Sequence, residues 1–221
     1  MSRNGRRVVA MAGAWLVASA AAWAQEPAIS SADRVEAVQQ RSWKKAGSLE
    51  LAPFAGYGLN DPFLLRGGVG LRAVWWPRSL VGLTVEASGW TQAPSEAARV
   101  AQRELKARLR ETGSGWAVLG GGEVALVDGK VAFGSALVPF ELVVRALLGA
   151  ESSTEELRSG AVLALGAAVG ARFFLWSGVG LETSLVWRSA SLEREIDGRV
   201  VSGRDTVVSF EVGVPLRFGG G

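Results

Sequence analysis

Along eight runs of this chain the residue type alternates with a period of two, and every charged residue inside them falls on the same parity. The runs cover residues 48–57, 67–76, 80–90, 115–127, 140–149, 161–175, 178–189 and 206–218. One parity is rich in Leu, Val and Trp. The other is rich in Gly and small polar residues and holds Glu50, Arg72, Glu86, Glu123, Glu141, Arg145, Arg172, Glu182, Arg188, Glu211 and Arg217. A soluble sandwich or ligand-carrying barrel encloses its apolar residues and turns its charges outward. Charges gathered on the glycine-rich face imply the opposite arrangement, in which the apolar face meets an apolar medium.

The start of the chain says which medium. Arg3, Arg6 and Arg7 precede an apolar run over 8–23, and Ala22-Trp23-Ala24 forms a small-x-small site. That pattern is a secretory signal peptide over residues 1–24, cleaved after Ala24. No cysteine follows the site, which excludes a lipoprotein anchor. The three arginines also supply the whole net charge of +3, so the remainder balances at 21 basic against 21 acidic side chains. The pI near 9.8 therefore belongs to the targeting segment and implies no nucleic-acid partner. The absence of cysteine rules out a disulfide framework, and 29 glycines with nine tryptophans favour many short strands. No later segment reaches the roughly 18 apolar residues of a helical span. In an exported chain of this kind the continuous apolar face meets lipid.

The fold expected is all-β: an eight-stranded antiparallel up-and-down transmembrane β-barrel over residues 48–218, preceded by a periplasmic lead-in over 25–47. Closure is required because lipid offers no partner to a free strand edge. Within the lead-in, Ser30 is a candidate cap for a short helix over 32–40. Short turns are expected at Pro77-Arg78-Ser79, Asp128-Gly129 and Trp176-Ser177, and longer connections at 58–66, 91–114, 150–160 and 190–205. Asp128-Gly129 is the strongest hairpin signal of all. After it, residues 130–138 are apolar without a clean face, and Pro139 is expected to bend or begin the next strand. Trp75, Trp76, Phe173, Phe174, Trp176 and Phe218 lie at the short-turn ends, and Tyr57, Trp90, Trp116 and Trp187 at the long-loop ends, as two interfacial belts would require. Trp76, Trp90 and Phe174 have inward parity, so a bulge or a register shift is expected at each.

The connection over 91–114 reads as a loop helix over 95–110, with Ser95 as its cap and Ala97, Ala101, Leu105 and Leu109 on one stripe. Arg99, Arg103, Lys106, Arg108 and Arg110 outnumber Glu96 and Glu104 there. On an external loop they would stand near lipopolysaccharide phosphates.

Two resemblances fit this reading. Glu211, Gly213, Leu216 and Phe218 in the last strand resemble the C-terminal signal by which barrel-insertion machinery recognises outer-membrane barrels. Residues 37–41 (Ala-Val-Gln-Gln-Arg), Asn60-Asp61-Pro62-Phe63, Gly129-Lys130, Phe140-Glu141-Leu142 and the run Gly170-Ala171-Arg172-Phe173-Phe174-Leu175 together resemble an outer-membrane β-barrel domain family common in myxobacteria. The family departs from this chain at Pro139 and at Trp187-Arg188. Its members are small barrels, some associated with envelope-spanning motility machinery. The resemblance implies an outer-membrane location and envelope protein partners.

An eight-stranded barrel is just wide enough to be filled by side chains, and charges inside it must be paired. The eleven interior residues are thus expected to form an ion-pair network, giving a structural or scaffolding barrel. A narrow channel for small solutes and a soluble periplasmic ligand carrier are the alternatives. Small barrel enzymes resemble one another in using histidine, which this chain lacks. Glu123 with Glu141 is the one carboxylate pair to consider, and its arginine neighbours suit a structural role, so no catalytic residue is assigned. Nothing in the residues points to a metal, nucleotide or organic cofactor.

Overall fold

The computed structural model describes residues 45–105, 113–133, 136–152, 161–176, 178–196 and 199–219. The signal peptide, the lead-in as far as residue 44, and Lys106, Arg108 and Arg110 of the loop helix lie outside the described residues. In chain order the elements are β1 (Ser48–Gly58), β2 (Leu64–Trp76), β3 (Val81–Pro94), α1 (Glu96–Leu105), β4 (Gly113–Phe133), β5 (Ala136–Ser152), β6 (Ala161–Trp176), β7 (Val179–Ile196), β8 (Arg199–Gly213) and β9 (Leu216–Phe218). From β1 to β8 each strand pairs antiparallel with the next, β1 pairs with β2 on one side and with β8 and β9 on the other, and β9 also pairs with β7. The sheet is therefore closed, and β8 with β9 makes one stave of an eight-stranded barrel. No described helix is long and apolar enough to cross a membrane.

The last strand, expected unbroken over 206–218, is interrupted at Val214-Pro215. Proline has no N–H to give the ladder. The backbone is satisfied locally instead: the Val214 N–H donates to the Pro53 carbonyl, and the Gly180 N–H to that of Pro215, each at 2.9 Å.

Two further expectations need correction, and both concern hairpin length. Asp128-Gly129 is not a turn. Across a register irregularity between Ala125 and Val127, β4 continues opposite β5, with Asp128 facing Glu141, Gly129 facing Phe140 and Phe133 facing Ala136. The Phe140 ring lies where a side chain on Gly129 would go, 2.7 Å from an added Cβ, so this glycine makes room for a cross-strand aromatic. The last β3–β4 pair is Val81 with Val124, and the last β5–β6 pair is Phe140 with Phe173. Beyond them β4 and β5 run on as a two-stranded ribbon. At the other end, residues 190–205 are not a loop: β7 and β8 pair from Ala190 with Asp205 out to Ile196 with Arg199.

The faces are those of a transmembrane barrel. Val69, Leu71, Leu83, Val85, Leu163 and Val169 are each more than half exposed, whereas all eleven charged strand residues of the opposite parity are buried. A water-soluble carrier would have these classes exchanged, so that alternative does not describe this fold. Trp75, Trp176 and Phe218 are exposed at the short-turn end, and Tyr57, Trp116 and Trp187 at the long-loop end. Gly178, with φ of 82°, supplies the left-handed residue that the β6–β7 turn needs.

Candidate functional site

The interior is built from cross-strand pairs of opposite charge. Register sets Arg72 opposite Glu86, Glu123 opposite Arg145, Arg172 opposite both Glu141 and Glu182, and Arg217 opposite Glu50. Neighbouring strands thus offer each other complementary charge, a stabilising cross-strand arrangement where like charges would repel. Because the side chains also reach across the lumen, these local pairs merge into one connected network.

At its centre the Arg172 guanidinium donates through Nη1 and Nη2 to Glu123 and through Nε to Glu182 at 2.6 Å, and its Nη1 lies 3.0 Å from Glu50. Glu182 also accepts from Arg145 at 2.8 Å and from Arg72 at 2.7 Å. Towards the long-loop end, Arg72 reaches Glu86 at 3.0 Å and Glu211 at 2.8 Å, and Arg188 reaches the same two carboxylates. Towards the short-turn end, Arg217 bridges Glu50 at 2.9 Å and Glu141 at 3.2 Å. All eleven residues singled out from the sequence lie in this network.

One member has no signal in the strand pattern. Lys45 precedes β1, yet it is buried, donates to Glu141 at 2.6 Å and sits 3.4 Å above the Trp76 ring. With it the buried charges among the described residues number six acids (Glu50, Glu86, Glu123, Glu141, Glu182, Glu211) and six bases (Lys45, Arg72, Arg145, Arg172, Arg188, Arg217). The lumen is electrically balanced only with a residue assigned by sequence to the lead-in. Pairing and hydrogen bonding offset the desolvation penalty that each buried charge carries and that an unmatched one would bear in full.

The inward aromatics belong to the same construction. Trp76, Trp90 and Phe174 do face the lumen, and the pairing of Trp76 and Trp90 is regular, with no bulge at either; of the three, Phe174 alone borders an irregularity, between Phe174 and Trp176. Each ring is covered by a cation: Arg188 lies 4.9 Å from Trp90 and Arg217 lies 4.1 Å from Phe174, while Trp76 takes Lys45. Phe54 receives Arg72 at 4.8 Å. Arginine stacked on an aromatic face gains attraction while its edge still donates hydrogen bonds. Space for these rings comes from glycine: a Cβ on Gly68 would lie 2.4 Å from Trp90, and one on Gly70 would lie 2.3 Å from Phe54.

At the long-loop end the network stops below a cup of about 60 Å³. Its lining includes Arg66, Trp90, Gln92, Glu151, Arg188 and Asp205. Arg66 and Asp205 pair at 3.0 Å across the rim. Trp90 donates its indole N–H to Ser88 at 2.9 Å and closes the floor with Arg188. Beside the rim, Ser95 caps α1 by accepting the Ala98 N–H at 3.2 Å, and its hydroxyl donates to the Pro62 carbonyl at 2.7 Å. Arg99 and Arg103 project from α1 into solvent and both lean towards Glu96, at 3.9 and 3.4 Å. The four residues of the last-strand pattern divide as their parity requires: Glu211 and Gly213 are buried, Leu216 is half-buried and Phe218 is exposed. Glu123 and Glu141 are held apart in their ion pairs, the first by Arg172 and the second by Lys45 and Arg217. No metal-binding cluster of His, Cys, Asp or Glu occurs among the described residues.

No protein-family model matches the chain. No curated protein matches it either. Solved structures similar to it include a de novo designed transmembrane β-barrel, at 13% identity and a TM-score of 0.44 over 80% of this chain and all of the other. Neisserial surface protein A is similar at 13% identity and a TM-score of 0.45, over 78% of this chain and 96% of that one. The attachment invasion locus protein of Yersinia pestis is similar at 14% identity and a TM-score of 0.41, over 78% and 99%.

Proposed function

We propose that this chain is a small outer-membrane β-barrel that does not conduct solutes and serves a structural or scaffolding role in the cell envelope. The observation that carries the reading is the charge-balanced lumen, in which, among the described residues, twelve acidic and basic side chains are buried and joined by ion pairs through the centre of the barrel. The exposed apolar staves and the signal-like N-terminus support the location. Insertion by the barrel-assembly machinery is supported by the last-strand pattern of Glu211, Gly213, Leu216 and Phe218. No catalytic role is assigned, because Glu123 and Glu141 are both committed to cations. The test is reconstitution in planar bilayers beside gel mobility of unheated and heated samples. A faster unheated band with no unitary conductance supports the reading; discrete conductance steps would replace it with the narrow channel.

Envelope partners are supported by the resemblance to the myxobacterial barrel family and by the β4–β5 ribbon, which extends beyond the barrel. At the opposite rim, α1 presents Arg99 and Arg103 to lipopolysaccharide phosphates, although Glu96 offsets part of that charge. Replacing both arginines by glutamate is expected to weaken lipopolysaccharide binding severalfold. Unchanged binding removes α1 from the proposal.

A further inference from the structure

We propose that the cup at the long-loop end binds a small zwitterionic group, an ammonium carried a few bonds from a carboxylate or phosphate. The inference does not depend on whether the barrel conducts.

Buried donors without an acceptor occur at several points of the lumen, Arg145 Nε and Nη2 and Trp76 Nε1 among them, and two belong to residues that line the cup. Arg66 spends Nη2 on Asp205, and Arg188 spends Nη2 on Glu86 and Glu211. The Nε–H of each is buried and reaches no acceptor. A buried donor without an acceptor is costly, and an anionic oxygen placed against it recovers more than a neutral one. Glu151 lines the same cup and is bonded to no donor among the described residues. Two unused guanidinium Nε–H donors and the Glu151 carboxylate therefore belong to residues that line one small space.

Charge selects among ligands. A simple anion would meet Glu151 and Asp205, and a simple cation would meet Arg66 and Arg188, so each gains one interaction and suffers another. A group with both charges can place its anionic end against the arginine edges and its ammonium against Glu151. Size sets the scale. A water needs about 10–15 Å³ of such space, so the cup of about 60 Å³ holds a handful of waters or one solute of comparable bulk. Its floor is preformed, since Trp90 is fixed by Ser88 on its edge and by Arg188 on its face. Free amino-acid-like solutes and the phosphoethanolamine groups of envelope lipids share this chemistry.

The experiment uses the full chain refolded in detergent micelles, with the Trp90 indole resonance as the reporter. Glycine and O-phosphoethanolamine represent the two sources; acetate and methylamine each carry one half of the charge pattern. A saturable shift is expected with at least one zwitterion in the millimolar range, and saturation by phosphoethanolamine alone assigns the site to the lipid headgroup. Acetate and methylamine should bind about tenfold or more weakly, as loss of one charge-assisted contact implies. Glu151→Gln and Arg66→Gln should each weaken binding by about the same factor, with the fast unheated gel band retained as evidence of folding. No saturable shift up to about 100 mM, well past the range of a millimolar site, means a water-filled cup and overturns the proposal. So does acetate binding as well as glycine, or Glu151→Gln binding like the unaltered chain.

Discussion

The two ends of the barrel are finished differently. At the short-turn end the charge network is closed by Lys45, a residue from outside the strands that satisfies Glu141 and stacks on Trp76. At the long-loop end no described residue plays that part, and the Nε–H groups of Arg66 and Arg188 reach no acceptor beside the Trp90 floor. The projecting hairpins differ in the same sense. The β7–β8 hairpin continues through Glu193, Arg194, Glu195, Arg199 and Arg204, a charged edge of the kind that discourages strand pairing. The β4–β5 ribbon continues through Val131, Ala132, Leu137, Val138 and Pro139. One end is sealed in the lumen and carries an apolar projection; the other is open in the lumen and carries a charged one. The sealed end is thus organised for stability, and the open end for recognition of small polar groups.

The centre should be less tolerant than either end. Arg172→Leu leaves Glu123 with only Arg145, 3.8 Å away, and removes one partner each from Glu50 and Glu182. Breaking a buried pair by deleting one side costs about 3–5 kcal/mol. The expected outcome is a sharply lower denaturant midpoint in micelles, with little fast-migrating unheated band. Replacing Glu123 as well, in Arg172→Leu with Glu123→Leu, should recover a large part of the loss, because the orphaned carboxylate is gone. A double variant no better than the single one would mean that packing around Arg172, and not charge, holds the centre.

Lys45→Met tests the seal with a smaller expected effect. Glu141 would keep Arg217 at 3.2 Å, so a loss of about 1–2 kcal/mol is expected, below the full cost of an orphaned buried charge. The same substitution at Arg66 should cost less, since that side chain lies at the open rim. If the two variants shift the denaturation midpoint equally, the contrast between the ends fails.

Most of the barrel was legible because parity is a strong signal. Glu50, Arg72, Glu86 and their partners could be assigned inward from alternation alone, since a one-residue error would have put every one of them into lipid. Trp76, Trp90 and Phe174 obeyed the same parity, and only the assumption that aromatics face lipid made them look misplaced. Their reason lies in three dimensions, where each meets a cation contributed by a distant segment. Lys45 was illegible for the same cause: no local pattern marks a lysine that fills a lumen, although an excess of one carboxylate among the strand charges hinted at a missing base. Asp128-Gly129 misled because turn chemistry is a local preference, here overridden by cross-strand pairing around Phe140 and by β-branched residues on both sides. The outer cup left no trace in the sequence, because Arg66, Glu151 and Asp205 lie in or beside segments that the alternation had assigned to loops.

The β4–β5 ribbon should matter least to folding, and that makes it useful. Residues 130–133 and 136–139 of the ribbon pair only with each other in the ladder, so they add nothing to barrel closure. Joining Gly129 directly to Phe140, its cross-strand partner, through a two-residue Asn-Gly turn removes the projection while keeping Glu141 in place for Lys45 and Arg217. The denaturation midpoint should move by less than the equivalent of about 1 kcal/mol, as for changes away from core and buried networks, and the unheated band should stay fast. Leu137 is more than half exposed on this ribbon, and an apolar projection that contributes nothing to stability is there to meet something else. A large destabilisation on shortening would instead make the ribbon part of the seal, and the search for a partner would move to the charged hairpin at the other end.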